Sequence, residues 1–113
     1  MSESALLANL REYWGTGLES LSAKKYNSAA NEFFKAFITA CDLAIYRKLR
    51  LLPTDHGERF GILRINFPDL YKADLSLFEV YRRSYTLRLT AEEAKRIQRG
   101  VIEVADGLKI KLD

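Results

Sequence analysis

One cysteine, one histidine, two prolines and six glycines are all that 113 residues hold of the side chains that staple, ligate or interrupt a chain. The single Cys41 excludes an intramolecular disulfide, and its apolar neighbours indicate a buried thiol in a reducing compartment. One His and one Cys, without a paired motif of either, leave no transition-metal set. No glycine-rich phosphate loop and no Gly-x-Ser-x-Gly elbow occurs, so no cofactor and no acyl-transfer nucleophile is expected. No apolar run approaches the roughly 20 residues that span a bilayer. The start, Met1-Ser2-Glu3-Ser4-Ala5-Leu6-Leu7, has no basic leader region. A cytoplasmic protein with no membrane association is therefore expected. Strand alternation, internal repeats and low-complexity tracts are also missing.

What is present is a composition 48% hydrophobic and 29% charged, typical of a folded globular chain. At this length residues 1–113 form one domain. Apolar residues recur with helical spacing throughout. In the segment 4–22, Leu7, Leu10, Trp14, Leu18 and Leu21 share a face. Gly15 and Gly17 weaken that helix by up to about 1 kcal/mol each relative to Ala and can mark close packing against a neighbour.

The segment 26–49 carries two adjoining stripes, Tyr26, Ala30, Phe33, Phe37, Ala40, Ala44 and Phe34, Ile38, Cys41, Ile45, Leu49. Only Ser28, Asn31, Lys35, Thr39 and Asp42 remain as a polar strip. So wide an apolar face is surrounded on most sides, which points to the centre of a bundle or to a homodimer interface. Pro53 and Gly57 break this helix. A short helix over 58–64 follows, then one over 70–85 with Pro68 near its first turn. Thr90-Ala91-Glu92-Glu93 is a capping-box sequence opening the last helix, and Gly107 suits that helix's end. The expected fold is all-α, an up-and-down antiparallel bundle of four long helices and one short one.

Charge supplies the first candidate surface. The net charge is only +3, yet Arg82, Arg83, Arg88, Lys95, Arg96 and Arg99 lie within one stretch that holds only Glu92 and Glu93 as acids. The ordinary reading is a solvated face with cations at helix C-termini. The functional reading is a phosphate-binding surface at Arg82 and Arg83, with Tyr85 and Tyr81 available to stack on bases. His56 is the one side chain whose unperturbed pKa suits acid–base work near neutrality. It stands in the Pro53–Gly57 break, with five residues between it and Arg50. Such a pair suits RNA cleavage: Arg50 stabilises charge on the phosphate while His56 moves a proton.

Three segments carry a family resemblance: Lys25-Tyr26-Asn27-Ser28-Ala29-Ala30-Asn31-Glu32-Phe33-Phe34-Lys35-Ala36-Phe37, then His56-Gly57-Glu58-Arg59-Phe60, and then Arg82-Arg83-Ser84-Tyr85. Together they make the chain resemble the HEPN family of small helical domains. The resemblance spans about residues 18–108. It implies a homodimer and one of two roles. One is a nucleotide- or RNA-binding module, or the companion of a minimal nucleotidyltransferase partner, with Arg82, Arg83 and Tyr85 as contacts. The other is a metal-independent endoribonuclease, the toxin of a toxin–antitoxin pair, with His56 and Arg50 as catalytic residues. Family ribonucleases carry their Arg and His four to six residues apart in the later helices. Here no histidine follows His56, and the element at Arg82 lacks the family's Asp; the resemblance therefore favours the binding role.

Overall fold

The periodicities become five helices in the computed structural model, which describes residues 3–113: α1 (Glu3–Ser22), α2 (Tyr26–Leu49), α3 (His56–Asn66), α4 (Pro68–Arg83) and α5 (Ala91–Gly107). No strand occurs among the described residues, and no helix is long and apolar enough to cross a membrane. α2 is the axis. α1 packs along one side of it, α5 along another, and α3 and α4 pack on each other and against the rest of its surface.

Packing explains the two stripes of α2. Phe33, Phe34, Phe37, Ala40, Cys41, Leu43 and Ile45 are all buried within the single chain. Trp14 of α1 packs on Phe33 with ring centroids 5.3 Å apart. Ile97 and Val101 of α5, Leu77 and Val80 of α4 and Leu63 of α3 join the same core. Most of the two stripes, read as the centre of a bundle or as a homodimer interface, thus lies against the chain's own helices.

Helix ends follow local chemistry, with two corrections. α3 begins at His56 rather than at residue 58, because Asp55 caps it: its carboxylate accepts from the Glu58 N–H at 2.8 Å. His56 is therefore the first helical residue, not part of the loop, and α3 continues to Asn66. α5 is opened by the expected capping box, Thr90 and Glu93 each satisfying the other's backbone N–H. Its exit does not use Gly107. No glycine takes a positive φ; Lys109 does, at 58°. The Ile110 N–H then reaches the Ala105 carbonyl at 2.9 Å, and the Lys109 N–H the Asp106 carbonyl at 3.1 Å, a Schellman motif. Lys24 ends α1 in the same way, at φ 61°. A lysine at these positions accepts left-handed strain and places its charge at the negative end of the helix dipole.

Candidate functional site

Where α2, α3 and α4 meet, four polar side chains converge, Arg59 and Asp74 buried and Asp42 and His56 half-buried. Arg59 of α3 is almost fully buried and grips Asp42 of α2 with both arms, Nε to Oδ1 at 2.7 Å and Nη2 to Oδ2 at 3.0 Å. This fork is the geometry that repays burial of two charges. Its third nitrogen, Nη1, lies 3.2 Å from Nδ1 of His56. Arginine only donates, so Nδ1 of His56 accepts and the neutral ring carries its proton on Nε2. Burial first, and then the neighbouring Arg59 charge, lower the His56 pKa from its ordinary 6.5.

Asp74 of α4 is the fourth member. It has no exposed surface, and neither of its oxygens has a hydrogen-bond donor among the described residues. Burial raises its pKa to about 6, against the attraction of Arg59. Cys41 lies in the same region, and its thiol is pushed well up, by burial first and then by the charges of Asp74 and Asp42. Among the described residues, no group of three or more His, Cys, Asp or Glu side chains is arranged to hold a metal ion.

An aromatic row leads from this cluster to the surface. His56 meets Phe78 edge-on at 5.2 Å and lies 6.1 Å from Phe34. Phe34 stacks on Tyr81 at 4.5 Å and 15°. The Tyr81 and Tyr85 hydroxyls share a 2.6 Å hydrogen bond, which, with burial, pushes the Tyr81 pKa up to about 12. Tyr85 stands at the outer end, 70% exposed.

Asn27 of α2 fixes the backbone that carries Tyr85. Its amide donates to the carbonyls of Ser84 and Leu87 at 2.9 and 2.8 Å, and its oxygen accepts from the Leu89 N–H at 2.9 Å. Asn31 adds a bond to the Ser84 hydroxyl. Two residues of the α2 segment that read as solvent-facing or unremarkable thus organise the α4–α5 connection.

The sequence candidates take different partners. Arg50 caps α2 in the left-handed region and lies over the Tyr46 ring at 5.6 Å, whereas His56 engages Arg59; the structure gives the two different partners. Arg82 and Arg83 diverge as successive helical residues must. Arg82 pairs with Glu79 on α4 at 2.8 Å, both side chains more than half exposed. Arg83 crosses to Glu93 of α5 at 2.7 Å. Arg82 and Tyr85 remain together at the exposed end of α4.

Sequence reading missed the partners of His56. Asp42 falls in register with Ile38, Ile45 and Leu49, and Asp74 in register with Leu70, Leu77 and Tyr81. A carboxylate inside an apolar stripe is the signal that marks a buried ion. Arg59, three residues after His56, is the cation that answers them. Comparison with known protein families, with curated proteins and with solved structures finds no match for this chain.

Proposed function

We propose that the chain is an HEPN-like helical module that binds RNA or nucleotide at the C-terminal end of α4, with Tyr85 as the stacking platform and Arg82 and Arg83 as phosphate contacts. The observation that carries this reading is the braced exposure of Tyr85. A tyrosine ring 70% open to solvent is held by its hydroxyl to Tyr81, which is itself stacked on the buried Phe34. A pre-positioned ring loses little freedom when a base stacks on it, and such a contact is worth about 1–3 kcal/mol. The Arg82–Glu79 pair is solvent-exposed, so exchanging Glu79 for a phosphate costs little.

The ribonuclease alternative draws less support from the geometry. A general base needs a free lone pair. In His56, Nδ1 is committed to Arg59, and Nε2 carries the proton. Arg59 is itself committed to Asp42. Arg50, the other residue of the expected catalytic pair, has Tyr46 as its partner. The Asp42–Arg59–His56 group reads as the brace beneath the aromatic row.

We also propose the up-and-down antiparallel arrangement of four long helices and one short that the apolar periodicity indicates, and the homodimer and minimal nucleotidyltransferase partner that the family resemblance implies. With most of the apolar stripes of α2 buried, a second copy or a partner would use apolar side chains that stay exposed, such as Ile65 and Leu75.

Titration of a fluorescent oligoribonucleotide tests the reading. Tyr85→Ala should weaken binding about tenfold, within the range for one stacked base, and His56→Ala should leave affinity near that of the parent. Metal-free cleavage of the RNA that disappears in His56→Ala would replace this reading with the ribonuclease one.

A further inference from the structure

A shallow groove of about 220 Å³ runs along the seam of α4 and α5, lined by Ala73, Ser76 and Leu77 on one side and Arg96, Arg99, Gly100 and Glu103 on the other. Its floor exists because position 100 has no side chain. A Cβ there would stand 2.5 Å from Cδ1 of Leu77, so the backbone of α5 lies directly against α4, and Arg96, one turn before it, and Arg99, next to it, line the depression. Arg83 and Glu93 bridge the same two helices on the side of the α4 C-terminus.

The cations in this region differ in what they are bonded to. Arg82, Arg83 and Arg99 each have a carboxylate, from Glu79, Glu93 and Glu92. Arg96 has a neutral partner: it donates from Nη2 to the hydroxyl of Ser76. A guanidinium oriented by a hydroxyl keeps its full charge, and the remaining N–H groups of Arg96 have no acceptor among the described residues. Arg99 stands on the same rim, and its Glu92 partner is 75% exposed; a pair so open to water is worth little and yields to a stronger acceptor.

We infer that this groove is a phosphate-ester site, in which Arg96 and Arg99 provide a two-guanidinium clamp and the Ser76 hydroxyl a third donor. Guanidinium groups match tetrahedral oxyanions in charge and in spacing of donors. Glu103 closes one end with negative charge and confines the anion to the part beneath Arg96. The site stands on different residues from the Tyr85 platform and does not need that platform to exist. The phosphate belongs either to a mononucleotide or to the backbone of an RNA strand.

Titration of the isotope-labelled protein with inorganic phosphate, followed by amide NMR, tests the site directly. The expected result is saturable shifts confined to the amides around Ser76, Arg96 and Gly100. Arg96→Gln should weaken that saturation about tenfold or more, as loss of a charge-assisted contact does, and Ser76→Ala should weaken it less. Both substituted side chains line the groove, and the spectra of the variants report directly whether the fold is retained. Tyr85→Ala should leave the phosphate shifts as they are; its failure to weaken RNA binding would remove the platform reading without touching the groove. Repeating the titration with AMP and with a short oligouridine separates the two sources: a mononucleotide site saturates with AMP at least as tightly as with the oligomer, and a backbone site prefers the oligomer. Shifts that rise linearly with phosphate, or that persist in Arg96→Gln, would overturn the inference.

Discussion

At Asp74 the chain tolerates a buried carboxyl group that none of the described residues hydrogen-bonds, and the consequence is a pH dependence of definite sign. Its pKa stands near 6 in the fold against an ordinary 3.8. Above pH 6 the native state bears the full cost of an ionised buried carboxylate. Between 6 and 3.8 the native state takes up a proton that the unfolded chain releases, and the cost shrinks; below 3.8 it is gone. The gap between the two values corresponds to about 3 kcal/mol. Asp74→Asn keeps the shape and removes the charge, so at pH 7.5 it should unfold at higher urea than the parent, by about 1–3 kcal/mol. At pH 4.5 the difference should contract. His56 acts with opposite sign: its lowered pKa favours the neutral ring in the fold, and stability is lost as pH falls through 6.5. Comparing variant with parent at each pH leaves the Asp74 contribution, because both proteins contain His56. A difference equal at the two pH values would show that burial of charge is not the cause.

Helices were the most legible level, because their signals are local. The apolar periodicity of 26–49, Pro68 in the first turn of α4 and the Thr90–Glu93 capping box all depend on residues within a few positions of one another. Where local signals conflicted, the reading slipped. Pro53 and Gly57 argue for a longer break, while Asp55 with Glu58 three residues on argues for a helix start, and the cap prevailed. What a single segment never displays is the neighbour across the interface, as α1 illustrates. Gly15 and Gly17 look alike in sequence, yet a Cβ at Gly15 would meet nothing within 4 Å, whereas one at Gly17 would lie 2.5 Å from Cδ1 and Cε1 of Phe33. Gly15→Ala should therefore raise stability by up to about 1 kcal/mol through helix propensity. Gly17→Ala should lower it by about 1–3 kcal/mol, since the Phe33 ring is locked in the core and has no room to yield. Urea unfolding of the two variants checks both signs, and two changes of the same sign would mean that the α1–α2 contact is looser than described.

Over the whole molecule, charge was legible as an amount and illegible as a direction. The excess of cations between Arg82 and Arg99 is plain in the sequence. Its division among an exposed end at Arg82 and Tyr85, a bridge to α5 at Arg83 and a groove at Arg96 and Arg99 depends on how α4 and α5 lie together. The same packing hid Asp42 and Asp74, whose roles appear only once α3 brings Arg59 between α2 and α4. A molecule of net charge +3 attracts a polyanion weakly as a whole, so RNA binding has to come from local cations, and the salt dependence of affinity counts them. Each phosphate neutralised on a single strand contributes a slope of about −0.7 to log K against log salt. Arg82→Gln and Arg83→Gln should each flatten the slope by about that amount, while Lys111→Gln, at the far end of the chain, should leave it unchanged. Tyr85→Ala should lower affinity at every salt concentration and keep the slope of the parent, because stacking releases no counterions. Glu79→Gln should raise affinity, since it frees Arg82 from its only ion-pair partner among the described residues. If instead every charge variant, Lys111→Gln included, shifted the slope equally, binding would be a property of total charge, and the end of α4 would have no special part in it.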